Sequence, residues 1–140
     1  MSWPKPVTLH SKTVQLEPLS IDHVSDLINA VKDGNLYNHW YTSIPQPKNM
    51  KMEIERRLKL QDMGTMLPFA VISLKTEKAV GMTTYMNVDK ENKRVEIGST
   101  WYAKSVQRTS LNTECKLVLL EHAFEKLNCI CVEFRTHFMN

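Results

Sequence analysis

The sequence predicts one mixed α/β domain, a sheet of about five strands with helices on both faces, antiparallel early and parallel around a late crossover. Three observations carry that expectation. Between positions 69 and 102, short apolar or alternating runs are separated by polar turns, as in consecutive strands. From 112 to 127 the apolar residues recur at threes and fours, the spacing of a helix. Ile130 to Phe138 alternates again, and strand, helix, strand in that order makes a parallel crossover unit. A chain of 140 residues, 42% hydrophobic and 24% charged, suits one domain, residues 1–140, with one ordinary core.

Thr13 to Glu17 alternates as a short strand and is halted by Pro18. Ser20 or Asp22 then caps a helix from about Ile21 to Lys32, which Asp33-Gly34-Asn35 ends. A loop with Trp40, Tyr41, Pro45 and Pro47 precedes a charged helical stretch from about Asn49 to Asp62, bounded by Gly64 and Pro68. Trp40 and Tyr41 either shape a substrate mouth or pack the loop.

Phe69 to Ile72 is continuously apolar, as in a strand covered on both faces. In the next strand Val80, Met82, Met86 and Val88 share one side, opposite Gly81, Thr83, Tyr85 and Asn87. In the strand from Arg94 to Tyr102, period two places Val95, Ile97 and Trp101 on one face and Glu96, Gly98 and Tyr102 on the other. Leu117, Leu120, Phe124 and Leu127 form the stripe of the following helix, with Asn112 or Thr113 as its cap and Glu114 in its first turn.

Composition narrows the function classes. Eighteen basic against 15 acidic residues give a formal charge of +3, too small and too dispersed to mark a nucleic-acid surface. No run approaches the ~20 apolar residues of a membrane span, and the first residues lack the apolar core of a signal peptide. Cys115, Cys129 and Cys131 form no CxxC pair and lack a zinc-finger histidine, so they read as reduced thiols of a cytoplasmic protein with no metal site.

The turn between Tyr102 and the helix start near Asn112 aims unpaired backbone N–H groups at the mouth of the sheet. Such a helix N-terminus binds phosphate, although every crossover unit has one and on this ground alone a plain capped helix is the commoner reading. The stretches Val95-Glu96-Ile97-Gly98-Ser99-Thr100-Trp101-Tyr102, Gln107-Arg108-Thr109-Ser110-Leu111-Asn112-Thr113-Glu114 and Ala123-Phe124-Glu125-Lys126-Leu127 together resemble the GNAT superfamily of N-acetyltransferases. Their order and spacing are most similar to the RimJ/RimL-like branch of ribosomal-protein alanine acetyltransferases.

The resemblance implies acetyl transfer from acetyl-CoA to a primary amine of a protein N-terminus or a small molecule, without a metal. It implies that amides of the turn, at Gln107, Arg108, Thr109, Ser110, Leu111, Asn112 and Thr113, hold the pyrophosphate. It further implies that amides near Trp101 and Tyr102 bind pantetheine and polarise the thioester carbonyl, that Asn140 contacts the pantetheine arm, and that Glu96 takes the proton of the acceptor amine. The alternative for Glu96 is a solvent-facing residue with a cross-strand basic partner. Ser110 and Asn112 stand where the family carries glycines.

The family's last helix and closing hairpin are expected beyond Asn140, so the resemblance reads the chain as C-terminally truncated. Two further readings follow from that: copies associate through the strand from Ile130 to Phe138, or the chain is a non-catalytic acyl-CoA-binding or regulatory remnant.

Overall fold

Six strands pair in chain order: β1 (Leu9–His10), β2 (Val14–Pro18), β3 (Leu67–Ser73), β4 (Lys78–Asp89), β5 (Arg94–Tyr102) and β6 (Cys131–Phe134). The computed structural model describes residues 3–36 and 44–134. Every neighbouring pair is antiparallel except β5 and β6, which are parallel because a helix carries the chain back between them. The expected strand count was about five. The additional one, β1, has two residues, too few to display a period.

Ser20, rather than Asp22, starts the first helical segment: its hydroxyl accepts from the Asp22 amide at 3.2 Å while His23 Nδ1 accepts from the Ser20 amide at 3.0 Å. A turn of 3-10 helix, Ile21–His23, leads into α1 (Val24–Lys32). A second such turn, Pro47–Asn49, leads into α2 (Met50–Asp62). α3 (Leu111–Glu121) continues as a π-helical turn, His122–Lys126. Trp40 and Tyr41, and the final strand's expected extension to Phe138, lie outside the described residues.

The two faces of the sheet are told apart by side-chain bonds. On one, the buried Arg57 of α2 donates to Thr84 Oγ1 at 2.8 Å and to Glu53 at 2.8 Å. On the other, the Tyr85 hydroxyl donates to the Leu119 carbonyl of α3 at 2.5 Å, and the Tyr85 ring stacks on His122. All seven residues of β3 are buried between these layers, as its continuous apolar sequence requires.

Strand β5 departs from the expected alternation. Met82 pairs with Trp101 and Thr84 with Gly98, so β5 spends one residue more than β4 over this stretch. Ser99, at φ 50°, takes up the extra length. The bulge reverses the parity of everything after it. Trp101 therefore lies on the Glu96 and Thr84 face, and Tyr102 turns towards α3, where its hydroxyl lies near Cys115. Strict period two gave the opposite placement for both.

The stripe of α3 is also different from the one expected. Leu117 and Phe124 are 52% and 48% exposed, and the buried residues are Leu111, Cys115, Leu119, Ala123 and Leu127, spaced by four, so that of the expected stripe Leu127 alone is buried. The helix carries two apolar stripes. The one with Cys115 and Ala123 packs inward because small side chains leave room for the Tyr85 and Tyr102 rings. Engagement of the Leu119 carbonyl from the side coincides with the widening into the π turn, in which the Leu127 amide reaches back to the His122 carbonyl at 3.0 Å.

Replacing Tyr85 by Phe leaves the Leu119 carbonyl without this donor in the interior. We expect a loss of about 1–3 kcal/mol of unfolding free energy in urea titrations, and an unchanged midpoint would show the bond to be dispensable.

Candidate active site

After Tyr102 the chain leaves the sheet at Ala103, whose amide still donates to the Val80 carbonyl at 2.7 Å, and makes a 3-10 turn, Lys104–Val106. Three contacts hold this exit. The Ser105 amide donates to Asp33 Oδ2 at 2.8 Å, which ties it to the end of α1. Lys104 packs across Gly34, where a Cβ would meet its side chain at 2.8 Å. Gln107 Nε2 donates to the Tyr102 carbonyl at 2.9 Å and braces the turn across its mouth.

Residues Arg108 to Ser110 then reverse the chain into α3. Arg108 is at φ 62°, a left-handed conformation that costs a non-glycine residue about 1–2 kcal/mol. Ser110 is at φ −69°, ψ −9°, and Asn112 is within the helix, so neither position needs a glycine for its backbone. The helix begins at Leu111, and its N-cap is Ser110, two residues before Asn112 and three before Thr113, the expected caps. Thr109 Oγ1 accepts from the Leu111 amide at 3.3 Å. The amides of Asn112 and Thr113 belong to the first turn and have no intrahelical acceptor, while the Leu111 side chain is in the core.

Glu114 bears on whether this helix start accepts an anion, because a carboxylate folded over it would compete. The carboxylate is instead drawn sideways to the β1–β2 turn: it accepts from the Thr13 amide at 3.1 Å and the Thr13 hydroxyl at 2.6 Å, and from Ser110 Oγ at 3.0 Å. The Thr13 hydroxyl bond, foremost, holds its pKa down at about 2. The bond to Ser110 keeps the carboxylate at the helix N-cap, while among the described residues it accepts no bond from the first-turn amides of Asn112 and Thr113.

On β5, Trp101 is 5% exposed, and its carbonyl approaches Gly81 so closely that a Cβ there would lie 2.2 Å from the oxygen. Only glycine fits opposite the bulge. Tyr102 is partly buried and its hydroxyl is held protonated, mainly by burial and then by Cys115, whose thiol burial in turn pushes up to about 12. Glu96 is 7% exposed, accepts from Asn87 Nδ2 at 3.2 Å and lines an open depression of about 210 Å³ with Asn87, Asp89, Arg94, Val95 and Glu133. Glu96 is thus inside a wall rather than on a solvated face. Arg94 and Glu133 form an ion pair at its edge.

A family profile described as the acetyltransferase (GNAT) domain matches residues 13–140. The chain belongs to the GNAT acetyltransferases. GNAT acetyltransferases use acetyl-CoA to acetylate an amine, and the mixed sheet with α3 after the turn is their fold. A protein assigned as a ribosomal-protein-serine acetyltransferase in Vibrio cholerae superposes with a TM-score of 0.82 at 17% identity, covering 100% of this chain and 78% of that one. A GCN5-related N-acetyltransferase from Brucella melitensis superposes at 0.76 and 25% identity, covering 90% and 58%. The ribosomal-protein alpha-N-acetyltransferase RimL, in complex with coenzyme A, superposes at 0.67 and 16% identity, covering 83% and 67%. No curated protein sequence matches the chain.

The structure thus brings Gln107 to Thr113 together at one helix start and sets Trp101 and Tyr102 immediately before it, with their side chains on opposite faces. Glu96 lies further back on the same strand, and Asn140 lies outside the described residues. Sequence reasoning missed Thr13 and Asp33, which hold the GNAT turn from distant segments without touching its mouth. Among the described residues no helix is long and apolar enough to cross a membrane.

The Glu114 strap has a pH signature. Its pKa is lowered on folding, so its stabilisation is complete above the ordinary value of 4.5 and is lost as the pH falls towards about 2. Thermal unfolding of Glu114→Gln should show a lower Tm than the parent at pH 7, and the difference should close between those two pH values. A difference independent of pH would rule out the charged strap.

Proposed function

We propose that this chain binds acetyl-CoA at the Gln107–Thr113 turn and transfers the acetyl group directly to a primary amine of a protein N-terminus or small molecule. The carrying observation is the start of α3: amides at Asn112 and Thr113 without an intrahelical acceptor, a strained Arg108 shaping the turn, and a Glu114 carboxylate held by Thr13 and Ser110. These residues fit a pyrophosphate, which needs unpaired donors and a positive dipole. Ser110 and Asn112 add side-chain bulk where the family has glycines, which predicts weaker binding than a glycine turn gives.

Acetyl-CoA supplies the thioester carbonyl. Backbone N–H groups at the β5 bulge, next to Trp101, polarise its oxygen. Glu96 takes a proton from the acceptor ammonium, directly or through water, so that the neutral nitrogen attacks the carbonyl carbon; the C–N bond forms, the C–S bond breaks and the thiolate departs. Tyr102 is not assigned as the thiolate's acid, since its hydroxyl faces Cys115 and burial makes it a weaker proton donor. A peptide acceptor is supported by the relatives named as ribosomal-protein acetyltransferases. Exposed Ile130 and Phe134 beside β6 support association of copies along that edge.

Titration calorimetry should give a Kd for acetyl-CoA on the order of micromolar, weakened about tenfold or more in Ser110→Asp, whose charge repels the pyrophosphate. Glu96→Gln should keep that affinity and lower kcat about 100-fold. Binding without turnover of any amine would favour the acyl-CoA-binding reading, and no binding by a folded sample would remove both.

A further inference from the structure

Resting on that proposed function, we infer that the Trp101 side chain reads the acceptor, its indole N–H donating to a carbonyl oxygen adjacent to the attacked amine. Trp101 is 5% exposed, and its buried Nε1 has no hydrogen-bond partner among the described residues. A buried donor with no partner carries a desolvation penalty that native interiors rarely retain. Indole N–H groups in particular are usually paired when buried.

The position of this donor identifies what it serves. The Ser99 bulge places the Trp101 side chain on the Glu96 face, away from α3 and its phosphate-binding turn. The Trp101 carbonyl is fixed against Gly81 and the strand beyond is anchored by the Ala103 to Val80 bond, so the ring is held by backbone on both sides of its own residue. A rigid donor on the face of the general base suits an acceptor-borne oxygen. The amine itself is excluded as its partner, since a donor to the attacking lone pair would block attack. The substrate class that fits is an α-amino carbonyl compound, as at a peptide N-terminus, in preference to a simple alkylamine or polyamine. Sites built to bond a substrate oxygen discriminate against analogues that lack it.

The test compares alaninamide with propylamine as acceptors in the parent protein and in Trp101→Phe, which removes the N–H and keeps a ring. The ratio of kcat/KM for alaninamide over propylamine should fall about tenfold in the variant. Differences in amine basicity cancel, because the comparison is between proteins. A merely structural role would lower both rates together and leave the ratio unchanged, which would overturn the inference. A second readout is independent of turnover. The indole 15N–1H cross-peak that disappears in Trp101→Phe should move when alaninamide is added in the presence of coenzyme A, and not with propylamine. A peak static to alaninamide assigns the donor elsewhere and overturns the inference. Absence of acetylation of either amine would instead count against the proposed function, and the cross-peak would still decide the role of Trp101.

Discussion

One additional residue in β5 governs the geometry of the whole site. At Ser99 the strand adopts a left-handed φ of 50°, at a cost of about 1–2 kcal/mol, and the strand's two halves then face opposite ways. Without that reversal Trp101 would turn into α3 and Tyr102 away from it. With it, the Tyr102 hydroxyl reaches Cys115, the Trp101 carbonyl abuts Gly81, and the chain leaves the sheet where Gln107 can brace the Tyr102 carbonyl. The neighbouring interior offsets the local strain: Trp101, Met82 and Thr84 are all buried around the bulge. Backbone strain of this kind clusters at active sites and ligand clamps.

The helix after the turn is held at two points along its length. Near its N-terminus Glu114 bonds Thr13; near its C-terminus the Leu119 carbonyl receives the Tyr85 hydroxyl. On the inward face Cys115 lies between these points and Ala123 beyond the second, and their small side chains let α3 lie close to the sheet. Both contacts position the first turn of α3 without using the amides of Asn112 and Thr113. That division of labour separates the residues that build the site from those that serve it.

How much of this was legible in the sequence depended on whether the cause was local. β5 has the bounds its alternation gives, Arg94–Tyr102, and α1 begins after the Ser20 cap, because alternation and capping are written in adjacent residues. The bulge at Ser99 was not legible, since it is defined by pairing with β4. Nor was most of the inward stripe of α3: Leu117, Leu120 and Phe124 are more apolar than Cys115 and Ala123, only the two tyrosines on the sheet select the smaller set, and Leu127 is common to both. The turn proposed for the cofactor was chosen by resemblance, and its positive-φ residue is Arg108, where no glycine signalled it. The Thr13 to Glu114 contact joins residues 101 positions apart, beyond the reach of any local pattern.

The central claim is that the start of α3 and the end of β5 form one continuous cofactor cradle, and backbone amide chemical-shift mapping with coenzyme A tests it most directly. The account predicts that the largest shifts fall on Ser99 to Tyr102 and on Arg108 to Thr113 together, with the remaining sheet little changed. Shifts concentrated instead at the separate depression formed by Trp3, Pro4, Gln61 and Asp62, or spread without a maximum, would contradict it.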